Sequence, residues 1–284
     1  MQFRLDARKE MPTTSIAMLN RKGGTGKSST CFHLSGYFAS IGLKTLVVDA
    51  DPQGSLSNGF FGSDFIENLP KEETLAAIFD PDRLSPPAES LVVPTVIPGL
   101  SIVRTNESLD EYNKTSPENL GMQQYVLSTF LEELEATSRF DIVLLDCPPN
   151  LYECSWNALV AADFVIIPVP PEDFCTQGLR VVHQAVQNAR LLNKRLRRLG
   201  HLISRTDRNR ILLHRNFENQ LRERYSELVF DAVFPESADY KTAISARTPI
   251  SQLRSRSAAG SAIEAIGIEV LQRIDRHTKR QRAA

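Results

Sequence analysis

Short apolar runs recur along the chain at Ile16–Leu19, Thr45–Val48, Leu100–Val103, Ile142–Leu145, Phe164–Val169, His201–Ile203 and Leu228–Val233, and they read as strands. Helical spacing falls between many of them. Ser28 to Ala39 reads as a helix stopped by Gly42. Leu120, Leu127, Phe130, Leu131 and Leu134 mark a second helix, and Leu179, Val182, Val186, Ala189 and Leu192 a third. Ile211 to Tyr225 reads as a fourth. Strands alternating with helices imply parallel crossovers, so the expected fold class is α/β: a doubly wound, mostly parallel sheet with helices on both faces. Ligands of such sheets bind at the carboxyl ends of the strands. No internal repeat or low-complexity linker interrupts the pattern. The connection containing Pro86, Pro87, Pro94 and Pro98 is irregular but short, so a single domain is expected.

Composition adds limits. The 284 residues are 42% hydrophobic and 24% charged, ordinary for a globular chain. No stretch approaches the ~18 to 20 uninterrupted apolar residues of a membrane span. Residues 1–10 carry charges throughout, unlike a secretory signal. Cys31, Cys147, Cys154 and Cys175 lack metal-ligand spacing and sit in or beside apolar runs, as reduced, mostly buried thiols do. The net charge of −1 hides a division. Residues 1–179 hold 12 Lys and Arg against 24 Asp and Glu, whereas residues 180–284 hold 21 against 10. A basic half suggests a polyanionic partner.

The chemistry concentrates where strands end. After the first run comes Asn20-Arg21-Lys22-Gly23-Gly24-Thr25-Gly26-Lys27-Ser28-Ser29-Thr30. Glycines let the backbone curl so that consecutive N–H groups converge on one anion, and the following helix adds its dipole. Lys27 can then reach the β- and γ-phosphates, and the Ser28 hydroxyl can ligate Mg²⁺. The candidate phosphate cradle is Gly23, Gly24, Thr25, Gly26, Lys27, Ser28 and Ser29. The second run ends in Asp49-Ala50-Asp51-Pro52-Gln53, whose two carboxylates share one face of an extended chain. Carboxylates beside a triphosphate repel it unless Mg²⁺ or an attacking water lies between. The run Ile142–Leu145 ends in Asp146-Cys147-Pro148-Pro149, the form of a Walker B strand, which places Asp146 as a Mg²⁺ holder acting through a coordinated water.

The string Lys-Gly-Gly-x-Gly-Lys-Ser-Ser resembles the deviant Walker A box of the ParA/MinD group of P-loop ATPases. Asp-x-Asp-Pro-Gln resembles that group's Walker A′ box, and Asp-x-Pro-Pro its Walker B loop. Phe164–Pro170 with Gln177-Gly178-Leu179, and Val233-Phe234-Pro235 to Thr248-Pro249-Ile250, resemble later segments, so the likeness spans roughly residues 14–275. It is nearest to the short ParA/Soj partition type, with no room before the first strand for a helix-turn-helix domain. The resemblance implies ATP and Mg²⁺ as cofactors, with catalytic roles for Lys22, Lys27 and Asp51. Ser28, Asp51 and Asp146 would serve the metal, Asp49 would support its shell, and Pro235 would lie beside the adenine. Asp51 would orient the hydrolytic water. Lys22 would cross a nucleotide-sandwich homodimer to the partner's phosphates, with Gly23 at the tight contact. Hydrolysis would be slow until an adaptor resembling ParB stimulates it. The expected boundaries are an extension at 1–14, the ATPase domain at 15–276 and a basic tail at 277–284. The setting would be a bacterial cytoplasm, in association with the nucleoid.

Relatives of this type bind DNA non-specifically as ATP dimers and position a plasmid, chromosome or other cargo. Candidate phosphate contacts are Arg195, Arg197, Arg198, Arg205, Arg208, Arg210, Arg247, Arg254 and Arg256. One departure stands against this: the family's late loop carries arginines where this chain has Glu236 and Asp239, so that contact would shift, for instance to Lys241 or Arg247. The rival is a MinD-like membrane switch using Ile263, Ile266, Val270, Leu271 and Ile274 with Arg276, Lys279, Arg280 and Arg282. Packing of that stripe onto the sheet is the favoured expectation, since no large aromatic marks a membrane face. A metabolic enzyme of the same superfamily is a third reading, without visible substrate residues.

Overall fold

The computed structural model describes residues 13–137, 140–171, 176–206 and 211–282. Its strands are β1 (Thr14–Met18), β2 (Thr45–Asp49), β3 (Val92–Pro94), β4 (Leu100–Val103), β5 (Ile142–Asp146), β6 (Phe164–Val169), β7 (Arg197–Thr206) and β8 (Phe234–Pro235). They form one sheet in the order β3-β4-β2-β5-β1-β6-β7-β8. Every neighbouring pair is parallel except β3 with β4.

The helices are α1 (Lys27–Ser40), α2 (Ser55–Phe61), α3 (Ser63–Glu67), α4 (Ala76–Phe79), α5 (Val126–Thr137) and α6 (Glu153–Ala161). They continue as α7 (Thr176–Leu192), α8 (Ile211–Tyr225), α9 (Ala238–Ser245), α10 (Ile250–Leu253) and α11 (Ala258–Arg282).

The strand residues of β1, β2, β5 and β6 are buried on both faces, apart from partial exposure of Thr14, which explains their unbroken apolar runs. Alternate residues then feed two cores. Ala17, Leu46, Val48, Val143, Leu145, Val165 and Ile167 face one layer with α5, α6 and α7. Ile16, Met18, Val47, Ile142, Leu144 and Ile166 face the other, with α1 and α11. Two glycines permit close approach in that second layer. A methyl group at Gly36 would overlap Pro249, and one at Gly267 would overlap the Tyr37 ring.

Several expectations shift. Leu228–Val233 is not a strand: Val229 makes a single bridge to His201, and the edge pairing falls on β8. The antiparallel β3 went unanticipated, being three residues long and ending in a proline that an edge strand tolerates. The helix α11 runs through the boundary set at 276/277, so residues 277–282 continue it rather than form a separate tail. Its stripe of Ile263, Ile266, Val270 and Ile274 is buried in the core beside α1, which removes the apolar face a membrane-lying helix would need. Among the described residues no helix is long and apolar enough to cross a membrane. Cys31, Cys147 and Cys154 are buried free thiols, while Cys175 lies outside the described residues.

Candidate nucleotide site

Register brings the chemistry to one level. Met18 of β1 and Asp49 of β2 both pair with Asp146, the last residue of β5. Beyond Met18 the chain enters the glycine loop, which its surroundings fix at several points. The Asn20 amide donates to the Pro168 carbonyl at 2.7 Å, and its oxygen accepts from the Lys22 N–H at 3.0 Å. Gly24 and Gly26 take φ of 71° and 88°, a region closed to most side chains. The Ser204 hydroxyl donates to the Thr25 carbonyl at 2.8 Å, and Arg205 Nη1 donates to the Gly24 carbonyl at 2.9 Å. The Lys27 side chain is buried at the head of α1, where Nζ makes a long 3.4 Å bond to the Lys22 carbonyl.

Three carboxylates stand around this loop in different environments. Asp146 is fully buried, and neither of its oxygens has a hydrogen-bond partner. Burial first, and the neighbouring Asp49 charge second, push its pKa well above the usual carboxylate range; the nearby Ser28 hydroxyl and Lys27 act the other way. Asp49 is also fully buried and is held up at about 7 by desolvation, which its bonds from Ser57 only partly offset. Its Oδ2 accepts from both the N–H and the hydroxyl of Ser57, each at 2.7 Å, so this side chain caps the start of α2. Asp51 lines the open cleft, bonded to the Gln53 N–H at 3.1 Å. Desolvation raises its pKa as well, opposed by Gln53 and Lys27.

An unpartnered buried carboxylate beside a serine hydroxyl is an expensive arrangement for an apo fold. It is the donor set a hard divalent cation takes, with oxygen ligands only. The residues present therefore fit Mg²⁺.

The cleft above them encloses about 630 Å³ and has two characters. One end is the loop, with Gly23, Gly24, Thr25, Gly26, Lys27, Ser28, Ser29 and Asp51. The other carries Phe234, Pro235 and Tyr240, with the Phe234 and Tyr240 rings stacked at 4.6 Å, and Glu236 and Lys241 at its rim. All expected cradle residues and Pro235 thus meet in one place. Lys22 is exposed at the start of the loop and borders a smaller cavity with Val169, Pro170 and Leu179.

The described candidate DNA arginines stand in different surroundings. Arg198 and Arg205 lie near opposite ends of β7, roughly 23 Å apart at strand rise. Arg198 is half-buried against His183, and Arg205 joins the cleft. Arg195 pairs with Asp163 at 3.8 Å and Arg254 with Asp239 at 2.9 Å, while Arg247 packs over Gly62. Arg256 is exposed. Arg208 and Arg210 lie outside the described residues. Sequence reading missed Ser57, Ser204 and Tyr240; a serine gives no signal until its partner is known.

A parallel sheet, a glycine loop opening a helix and carboxylates at adjacent strand ends define a P-loop nucleotide-binding protein. The AAA domain family matches residues 13–198. The chromosome partitioning protein ParA of Caulobacter vibrioides is 30% identical over 267 residues, covering 92% of this chain and 95% of that protein. The chromosome-partitioning ATPase Soj of Thermus thermophilus is 31% identical, covering 91% and 96%. Among solved structures, cobyrinic acid a,c-diamide synthase from Mycobacterium smegmatis with bound ATP analog and magnesium superimposes with a TM-score of 0.70 at 25% identity, covering 90% and 91%. The chain belongs to the AAA domain family and, within it, to the ParA/Soj-type partition ATPases.

Proposed function

We propose that the chain is an ATP-driven dimerisation switch that positions DNA or another cargo. The observation that carries this reading is the Asp146 carboxylate, buried without a partner beside Ser28 and next to the Lys27 loop. Asp146 and Ser28 would hold Mg²⁺, which supplies charge neutralisation to the phosphates when bound. Lys27 and the loop amides bind and orient the phosphates. Asp51, open to the cleft and not committed to a helix cap as Asp49 is, positions water for attack. That division gives Asp49 the role of bracing α2 behind Asp51, with its contribution to the metal shell limited by its bonds to Ser57.

Lys22, exposed at the start of the loop, suits a role toward a second copy across the nucleotide. Assembly on ATP and dissociation after hydrolysis would make the switch, slow by itself and faster with an adaptor resembling ParB. The ATP dimer would bind DNA non-specifically in a bacterial cytoplasm. The contacts would come from exposed cations such as Arg256, Arg276 and Arg280 rather than from the Glu236 loop. Residues 15–276 would act as one functional domain.

The test is a pair of variants followed by light scattering with ATP. Lys27→Ala is expected to lose nucleotide binding. Asp51→Ala is expected to bind ATP and remain dimeric, with DNA retention falling as salt rises. An Asp51→Ala protein that binds ATP yet stays monomeric contradicts the switch.

A further inference from the structure

Arg205, a candidate DNA contact by its charge, makes its hydrogen bond to the glycine loop. It interrupts the register between β7 and β8, which shifts between Ser204 and Thr206. Its φ is 55°, an uncommon value for a residue with a side chain. That bulge aims the guanidinium over the glycine loop, where Nη1 bonds the Gly24 carbonyl at 2.9 Å and Nη2 lies 3.5 Å from Glu236. The preceding Ser204 bonds the next carbonyl, that of Thr25, at 2.8 Å and in a buried setting. Two successive loop carbonyls are therefore held from one strand end.

Peptide planarity gives this contact a consequence. The Gly24 carbonyl shares its plane with the Thr25 N–H, and the Thr25 carbonyl shares its plane with the Gly26 N–H. Within a trans peptide the two groups point in opposite directions. Holding the carbonyls outward against β7 turns the Thr25 and Gly26 N–H groups inward, toward the anion. A guanidinium on the Gly24 carbonyl also polarises that peptide, which strengthens its N–H as a donor.

We propose that Arg205, held by Glu236 and seconded by Ser204, is a positioning residue that pre-organises the loop's anion-binding amides for the nucleotide diphosphate. The Arg205–Glu236 pair is half-exposed and contributes little to folding by itself. Its value lies in where it holds the fork. The inference also explains Glu236 in a loop where an arginine was expected: a carboxylate there anchors the arginine supplied by β7. It rests on the ATPase reading above.

The test uses the full chain, fluorescent ADP, and unlabelled ADP, ATP and adenosine as competitors. Arg205→Ala should weaken ADP and ATP about tenfold and leave adenosine unchanged, because the lost preorganisation acts on phosphates. KM for ATP should rise by a similar factor with kcat within about twofold, the pattern of binding lost equally from ground and transition states. Arg205→Lys should recover to within about threefold of wild type, since an ammonium reaches the carbonyl without the fork. Glu236→Gln should weaken ADP about threefold. Wild-type ADP affinity in Arg205→Ala, or an equal loss for adenosine, overturns the proposal. If Arg205→Ala folds poorly, unchanged ADP affinity in Glu236→Gln overturns it instead. A wild-type chain that binds neither ADP nor ATP overturns the ATPase reading itself, a result distinct from any of these.

Discussion

Asp146 and Arg273 are both largely buried charged side chains, and they stand in opposite conditions. Asp146, at the end of β5, has two carboxylate oxygens and no hydrogen-bond partner for either. Arg273, on α11, has a fully engaged guanidinium. It pairs with Glu269 at 2.7 Å, donates to the carbonyls of Leu199, Glu227 and Val229, and stacks on Phe230 at 4.2 Å. Glu269 in turn accepts from the Asp231 and Ala232 N–H groups. At Asp146 the unsatisfied polarity falls where Mg²⁺ fits the fold. Satisfied polarity marks a joint within it. Within the basic half the two conditions coexist: Arg222 and Arg273 are held by carboxylates and carbonyls, whereas most of the described lysines and arginines there are exposed.

The strongest way to break this comparison is to neutralise Asp146. Asp146→Asn keeps the shape and removes the buried charge. Magnesium-dependent ATP hydrolysis should fall by about a thousandfold, as for loss of a charge-stabilising group at a phosphoryl site. At alkaline pH, where the carboxyl is ionised despite its raised pKa, the nucleotide-free variant should melt about 2–4 °C higher than wild type, because an unpaired buried charge has been removed. A lower melting temperature would mean that the carboxylate is a structural joint after all.

Arg273→Ala should do the reverse. It strands the Glu269 charge and leaves three carbonyls short of a donor, so unfolding free energy measured by urea titration should drop by about 2–4 kcal/mol. ADP affinity below the new melting range should stay within about twofold of wild type. A large loss of affinity without loss of stability would place this joint in the nucleotide machinery.

This contrast also explains what could be read in advance. The glycine loop, Asp51 and Asp146 were legible because local backbone demands and strand-end position fix them within a few consecutive residues. Parallel strands buried on both faces advertise themselves as apolar runs. Arginines offer no comparable signal. Arg195, Arg254 and Arg273 read alike in sequence, and only tertiary partners 15 or more residues away, or one turn along α11, separate an ion pair from a free cation. The Arg205 contact with the glycine loop is equally silent in sequence: it depends on a bulge and on a carbonyl 181 residues distant. The late segment Leu228–Val233 reads as a strand on its apolar content, yet its burial comes from packing Val229 and Phe230 against Arg273 of α11 and beside β7 rather than from a ladder.

The smallest expected effect concerns the buried histidines of the basic half. His183 and His201 bring their Nε2 atoms within 3.1 Å, with Tyr225 packed at a tilt against both rings and Arg198 Nη1 3.2 Å from His183 Nδ1. Desolvation first, and then cations, hold them neutral: His201 at about 3, against His183, Arg198 and Arg273, and His183 at about 4, against Arg198 and Arg224. In the unfolded chain both titrate near 6.5. Below that pH the unfolded state takes up protons that the folded state refuses, so this pair's contribution is complete above pH 6.5 and is lost as pH falls toward 4 and then 3. The carboxylates at the nucleotide end shift with the opposite sign, since Asp49 near 7 takes up its proton more readily when folded. A wild-type pH profile therefore mixes the two ends, and the difference from a His183→Gln, His201→Gln variant isolates one of them. That difference should be flat above pH 6.5 and narrow steadily between pH 6.5 and 4 in thermal melts. A constant gap across that range would show that the histidines are ordinary packing groups whose protonation the surrounding arginines do not govern.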